Sequence, residues 1–516
     1  MHGLFEWHDY RYFPYEKRLA YKEVEVLAHS KPTITRSGLR AVLPQNWRNV
    51  ATSVTYFGRF IPDSGTPVVS NQALLELAAT RFVISREAHL TKQSTRYSAH
   101  GIHEYKGKFN PQVVHAIGNI LGLKKGDWLF DPFCGCGTTL LEAAHNAWNA
   151  IGMDLNPLGT LITQAKIASM HVSPRILEHS VTAVKDTLSQ RSLLENRERL
   201  DNLSRNYLSK WFEEPILAQL NKIAAAVEEL ESGEVRIIFK IILSDLVRSV
   251  SLQDPSDLRI RRRKEPLPRS SNIISAYLDH LGTRVRSILT ARRLLKAVKT
   301  RQESILGDSR NCYELVARKE PVNSGKGFDA VITSPPYATA LPYIDTQRLS
   351  LVLLGLLKPA DLAITEKRLI GSREIRDRER QALESSLRNN ESNLPALCMT
   401  TCRELLQAFD EESDGFRRRN VPALLYKYLS DMKLVLDQVK QILKRRGSFA
   451  LLVGRNRTRL GGREYLIDTP KLLVEIGQEL GYRVRLFEDL EAYQRYDLHQ
   501  SNSIRSEVLA VLSTGP

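Results

Sequence analysis

Residues 127–157 read DWLFDPFCGCGTTLLEAAHNAWNAIGMDLNP, and few folds accommodate that order. The run DWLFDPF suits a short strand. A glycine-rich turn follows it, and GTTLLEAAHNAW reads as a helix starting directly after the turn. NAIGMD reads as a second strand, with Asp154 at its carboxyl end about 20 residues past the turn. Strand, glycine turn, helix, strand and acid together form a right-handed βαβ unit of the kind that binds a nucleoside outside the carboxyl ends of its strands.

The rest of the chain supplies the remaining strands. Candidates fall near residues 128, 151, 304, 330, 449, 483 and 507. They predict an α/β fold: a seven-stranded, Rossmann-like sheet with helices on both faces. FNPQVVHAIGNILGL is an amphipathic helix opened by Asn110 as N-cap, with proline at its first position. Residues 171–302 interrupt the alternation with long helical stretches. Residues 346–440 are again helical and highly charged, and IGSREIRDRERQALESSLRNN within them reads as partly disordered. Residues 1–95 carry no catalytic signature. The expected organisation is therefore an N-terminal extension (1–95), a core in three pieces (96–170, 303–345 and 441–516), a basic helical insert (171–302) and a charged helical segment (346–440).

A second unusual stretch is FDAVITSPPYATALPYID, residues 328–345. A buried strand ends in Ser-Pro-Pro-Tyr. Two prolines remove two backbone donors and forbid continuation of the strand. What remains is a stiff extended turn that offers carbonyl oxygens and an aromatic ring.

Taken together, DPFCGCGTT and TSPPY resemble motifs of S-adenosylmethionine-dependent methyltransferases that modify exocyclic amino groups of DNA. HEYKGKFNPQVV is similar to the segment that often precedes the glycine turn in those enzymes. The resemblance covers roughly 100–165, 303–350 and 440–516, and implies S-adenosyl-L-methionine as cofactor. It implies that Gly135 and Gly137 let the backbone approach the methionine portion, within a turn that also includes Phe133 and Thr138. Asp154 would accept from the ribose hydroxyls and Asp308, in LGDSR, from the adenine amine. Asp131 and the segment holding Lys108, Phe109 and Pro111 would line the methionine and adenine ends. The catalytic set implied is Ser334, Pro335, Pro336 and Tyr337. Ser334 Oγ and the Pro335 carbonyl would accept from the two amino hydrogens, Pro336 would fix the carbonyl direction, and Tyr337 would stack on a flipped-out base. Serine before the two prolines resembles the N4-cytosine group, with N6-adenine as the alternative. An RNA methyltransferase and a non-catalytic nucleic-acid-binding module are the further alternatives. The chain shows no nuclease motif, so an endonuclease of a restriction–modification pair is expected to be a separate protein.

Charge points to the same partner. The formal net charge is +16, which suits a polyanion such as double-stranded DNA. Residues 257–300 hold twelve Lys/Arg against three Asp/Glu, and so nine of those sixteen charges. Arg259, Arg261, Arg262, Arg263 and Lys264 are the candidate phosphate contacts, the alternative being a solvated charged face. Cys134 and Cys136 belong to the glycine turn, and Cys398 and Cys402 to one face of a helix, so no metal site is expected. The five cysteines do not form a disulfide framework, which suits a reducing compartment. No apolar run reaches membrane-span length and MHGLFEWHDYRYF is not a signal peptide. The expected location is cytoplasmic, on the nucleoid through DNA binding.

Overall fold

The structure, a computed structural model, describes residues 1–80, 90, 92–190, 199–254, 261–263, 272–295, 299–338, 343–373, 375–491 and 506–515. Five antiparallel strands form an N-terminal sheet: β1 (His2–Trp7), β2 (Thr33–Ile34), β3 (Gly38–Val42), β4 (Phe57–Pro62) and β5 (Val68–Val69). Seven more form the central sheet: β6 (Trp128–Asp131), β7 (Asn149–Asp154), β8 (Gln302–Leu306), β9 (Phe328–Thr333), β10 (Leu443–Gly454), β13 (Arg483–Glu491) and β14 (Ser506–Ser513). Between them, β11 (Asn456–Leu460) and β12 (Arg463–Ile467) make a separate two-stranded hairpin.

All seven strands expected from the sequence are in the central sheet, in the order β13-β14-β10-β9-β6-β7-β8. Five of them, β6 to β10, pair in parallel, while β14 runs antiparallel to both β10 and β13. From β6 the chain moves outward to β7 and β8, then crosses back to β9 on the other side. The β6/β9 boundary is therefore a topological switch point, where sheets of this kind hold their ligands. Asp131, Asp154, Leu306 and Thr333 end their strands on that edge.

Side chains of successive strand residues point to opposite faces, and the core follows that period. Leu129, Ala330, Ile332, Ala450 and Leu452 pack on one side, against Phe5, Leu19, Tyr56 and Phe57 of the N-terminal segment. Phe130, Val331, Phe449 and Leu451 pack on the other, against the helices Ala396–Ala408, Val421–Ile442 and Thr469–Glu479. Residues 1–80 thus form a covering layer that shares a core with the sheet. Buried acids stitch this layer on. Glu23 accepts from Thr55 N at 3.1 Å and from Asn119 Nδ2 at 2.7 Å, and burial pushes its pKa up to about 7. Glu76 accepts from Gln112 Nε2 at 3.0 Å.

The insert builds a second core. Helices Glu214–Glu228, Gly233–Val247 and Ile273–Leu294 pack with Pro157–His171 and with Tyr343–Leu353, the helix after the proline turn. The stretch read as partly disordered contains the helix Asp377–Asn389. Its order has a physical cause: Arg380, 3% exposed, is pinned between Asp377 and Glu384, and Leu387 is fully buried. Among the described residues no helix is long and apolar enough to cross a membrane.

Candidate active site

The glycine turn after β6 is held by its own backbone. Cys134 N donates to Met153 O at 2.9 Å and Gly137 N to Cys134 O at 2.7 Å. Gly135 and Gly137 have φ of +50° and +73°, a region that side chains disfavour. A Cβ on Gly137 would lie 2.6 Å from Thr163 Cγ2, and one on Gly135 would reach the Tyr105 ring at 3.4 Å. The turn therefore leaves a backbone-walled hollow beneath Tyr105. Thr138 is buried at the start of the following helix, behind that hollow.

Asp154 closes the hollow from β7. Its Oδ2 accepts from Gly135 N at 2.9 Å and its Oδ1 from Asn156 N at 2.8 Å. Burial raises its pKa, and the backbone donors oppose that rise. Each oxygen keeps a lone pair for a further donor. Asn156 caps the next helix through Leu158 N at 3.1 Å and donates to Gln347 Oε1 at 2.8 Å, joining this turn to the helix after the proline turn.

Asp131 lies beneath the cleft. At 2% exposure it accepts from Phe133 N at 3.1 Å and from Thr333 Oγ1 at 2.6 Å. Burial pushes its pKa up to about 6. Thr333 is the residue before Ser334, so this one carboxyl fixes the glycine turn against the proline turn.

The cleft encloses about 640 Å3, part of it open to solvent. Gly135, Asp154, Phe133 and Asp308 line it on one side, Ser334 and Pro336 on another. Pro335 is buried. Tyr337 is outside the lining, its hydroxyl donating to Glu507 Oε1 on β14 at 2.8 Å. Asp308 is held by Arg310, whose Nε reaches Oδ1 at 2.9 Å and whose terminal nitrogen reaches Oδ2 at 2.6 Å. Burial raises the Asp308 pKa, but those bonds outweigh it and the net shift is downward. Arg310 also donates to Asp431 Oδ1 and to Arg368 O, both at 2.9 Å.

Lys108, Phe109 and Pro111 do not line the cleft. Lys108 Nζ donates to Thr95 O and His100 O at 2.8 and 3.2 Å, and burial lowers its pKa to about 7. Phe109 packs into the core under the N-terminal layer, and Pro111 begins the helix Pro111–Ile120. Tyr105 and Gly107, in the same quoted segment, are the ones that line the cleft. Tyr343, Arg368, Leu369 and Ile370 add walls from the helices after the proline turn. The Tyr105 and Tyr343 rings are near-parallel, with centroids 6.5 Å apart. Behind the cleft, Glu142 hydrogen-bonds Tyr97, His100 and His145, which anchors the stretch leading into Tyr105.

Of the basic cluster, Arg259 and Lys264 lie outside the described residues. Arg261 and Arg262 are exposed, while Arg263 Nε donates to Gln253 O at 2.9 Å.

The cleft fits an adenosine derivative with an amino-acid tail. It has an acid with spare lone pairs bonded to a side-chain-free turn, and aromatic and aliphatic walls for a ring. Residues 102–187 match the family profile described as UPF0020, RMKL-like, methyltransferase domain. A methyltransferase domain of this kind takes S-adenosyl-L-methionine as its cofactor. The chain is similar to the Type II methyltransferase M.MjaII of Methanocaldococcus jannaschii, at 24% identity over 54% of this chain and 66% of that protein. It is also similar to the Type II methyltransferase M.BsoBI of Geobacillus stearothermophilus, at 26% over 54% of this chain and 58% of that protein. The chain thus spans under two thirds of the length of these relatives. A shorter match, 36% over 52 residues, is to the tRNA (guanine(10)-N2)-dimethyltransferase of Methanothermobacter thermautotrophicus, covering 10% of this chain and 16% of that protein.

Proposed function

We propose that this protein transfers a methyl group from S-adenosyl-L-methionine to the exocyclic N4 amine of a flipped-out cytosine in duplex DNA, at a specific sequence, within a restriction–modification system. The carrying observation is that Ser334 and Pro336 line the same cleft as Gly135 and Asp154. The bound cofactor supplies an electrophilic sulfonium methyl, and the chain's part is placement. Asp154 would hold the ribose, the Gly135 backbone the methionine portion, and Tyr343, Leu369 and Ile370 the adenine. Ser334 Oγ and the Pro335 carbonyl accept from the two amino hydrogens of the base. That turns the nitrogen lone pair out of conjugation and toward the methyl group. Alignment of this kind accounts for most of the acceleration in a direct displacement. Tyr337, tied to Glu507, sets the outer end of the turn. The similarity to two Type II methyltransferases supports DNA as the acceptor.

The test is incubation with labelled cofactor and unmethylated duplex DNA, followed by nucleoside analysis. N4-methyldeoxycytidine is the expected product. N6-methyldeoxyadenosine would replace the base assignment. The short tRNA-methyltransferase match favours RNA as a second reading, and label found only in RNA from the same mixture would establish it.

A further inference from the structure

The hairpin β11–β12 is a part of the chain that the cofactor cleft leaves unexplained. Its root is fixed beside the proline turn. Tyr337 bonds Glu507, Glu507 is the register partner of Gly454, and β11 begins two residues later. The ribbon leaves the sheet at the carboxyl end of β10, on the edge that also carries the proline turn after β9.

Its two faces differ. Cross-strand partners share a face, so Leu460, Ile467 and Tyr465 lie on one side, and Arg457, Arg459, Glu464 and Leu466 on the other. The first side is packed into the core against Leu405. The second is exposed, Leu466 to 57% of its surface. Leu466 thus faces water beside Arg457 and Arg459. The tip is held too, since Gly461 N donates to Asp414 Oδ2 at 2.8 Å. At the root, Arg455 pairs with Asp468 and Asp489. Of the four arginines between 455 and 467, Arg457 and Arg459 lie on the outer face, beside Glu464.

We propose that the outer face of this hairpin grips double-stranded DNA beside the flipped base, resting on the reading of the chain as a DNA methyltransferase. A two-stranded ribbon has the width of the major groove. Guanidinium groups suit guanine edges or phosphates, a carboxylate suits the cytosine amine, and Leu466 suits a thymine methyl. The Arg457–Glu464 pair, 2.8 Å apart and exposed at both ends, exchanges readily for such contacts.

The test compares wild type with an Arg457→Ala/Arg459→Ala variant and with Leu466→Ala. It measures affinity for short mixed-sequence DNA and RNA duplexes at fixed salt, cofactor affinity, thermal stability and methyl transfer to unmethylated plasmid DNA. The arginine pair is expected to lose on the order of tenfold in duplex affinity per residue, with cofactor affinity and stability unchanged. Leu466→Ala should lower transfer at the target without weakening mixed-sequence binding. Undiminished duplex affinity in the arginine variant, beside a wild type that methylates the plasmid, removes the hairpin's role alone. A wild type that methylates no DNA removes the underlying reading and this role with it. Loss of binding confined to an RNA duplex overturns the assignment to DNA.

Discussion

Asp154 offers the sharpest test of the cofactor cleft, because both of its oxygens are already used once. Oδ2 takes the Gly135 N–H and Oδ1 the Asn156 N–H. Each oxygen then has room for one ribose hydroxyl. Hydrogen bonds to a charged acceptor contribute about 1.5–3 kcal/mol each, so the two together are worth roughly 3–6 kcal/mol of cofactor binding. At about 1.4 kcal/mol per factor of ten, Asp154→Ala should weaken binding by roughly 10^2 to 10^4. Asp154→Asn is more telling. An amide has one acceptor oxygen, so its NH2 must face either the Gly135 or the Asn156 N–H across less than 3 Å. That leaves a donor without an acceptor, at a cost of about 1–3 kcal/mol. Asparagine should therefore fail to rescue, despite its shape. Calorimetry with S-adenosylmethionine and with its demethylated product reads the effect. The ribose is common to both, so both affinities should fall by the same factor, and turnover at saturating cofactor should fall far less. Wild-type affinity in Asp154→Asn, or a loss restricted to one of the two ligands, would refute the reasoning.

Further outcomes follow from the rest of the site. Ser334→Ala should lower turnover by about 10^2-fold with cofactor affinity within a factor of two of wild type; single-turnover transfer with labelled cofactor separates the two. Tyr337→Phe removes the donor and Glu507→Leu the acceptor of the 2.8 Å bond that fixes the proline turn, so each should raise the KM for DNA, and the double variant should be no worse than the more impaired single. Asp131 gives a pH signature: burial holds it near 6 against an unfolded value of 3.8, so the folded state binds the proton more tightly and this group's contribution to stability falls as pH rises from about 4 to 6. Asp131→Asn keeps an acceptor for Thr333 and cannot ionise, so denaturation midpoints should show the variant gaining on wild type by roughly 3 kcal/mol between pH 4 and 7; parallel curves would contradict that.

The sheet was legible because each strand is local. Alternating or apolar runs ended by glycine, proline or an acid mark all seven strands, and the βαβ unit needs only 31 contiguous residues, 127–157. The cleft was legible only where its residues belong to those strand ends and the turns after them: Phe133, Gly135, Asp154, Asp308, Ser334 and Pro336. Asn156 carried a local signal, Asn-Pro at a helix start, of the kind already read at Asn110. Tyr343 and Arg368–Ile370 carried none. They reach the cleft because their helices pack on the insert and on Arg310, contacts that no short-range pattern encodes. The N-terminal layer was opaque for the same reason: its buried acids Glu23 and Glu76 find their partners on residues 112 and 119. The hairpin was missed because alternating arginine, threonine and leucine reads as polar surface unless its inner face is known.

One carboxyl explains how two motifs about 200 residues apart act as one site. Sheet order makes β6 and β9 neighbours, with Leu129 opposite Ala330 and Phe130 opposite Val331. Extending that register by one residue each brings Asp131 level with Ile332, within side-chain reach of Thr333. The Asp131–Thr333 bond of 2.6 Å then locks the start of the glycine turn to the residue before Ser334. A buried acid with a pKa near 6 is an expensive way to hold two loops. The arrangement makes sense if the separation between the two turns must be set within a few tenths of an ångström, which is what an in-line transfer between groups bound to each of them requires. Thr333→Val tests this directly. It removes the hydroxyl and keeps the shape, so it should leave cofactor affinity unchanged and slow single-turnover transfer; unaltered transfer beside unaltered binding would show that the bond serves folding alone.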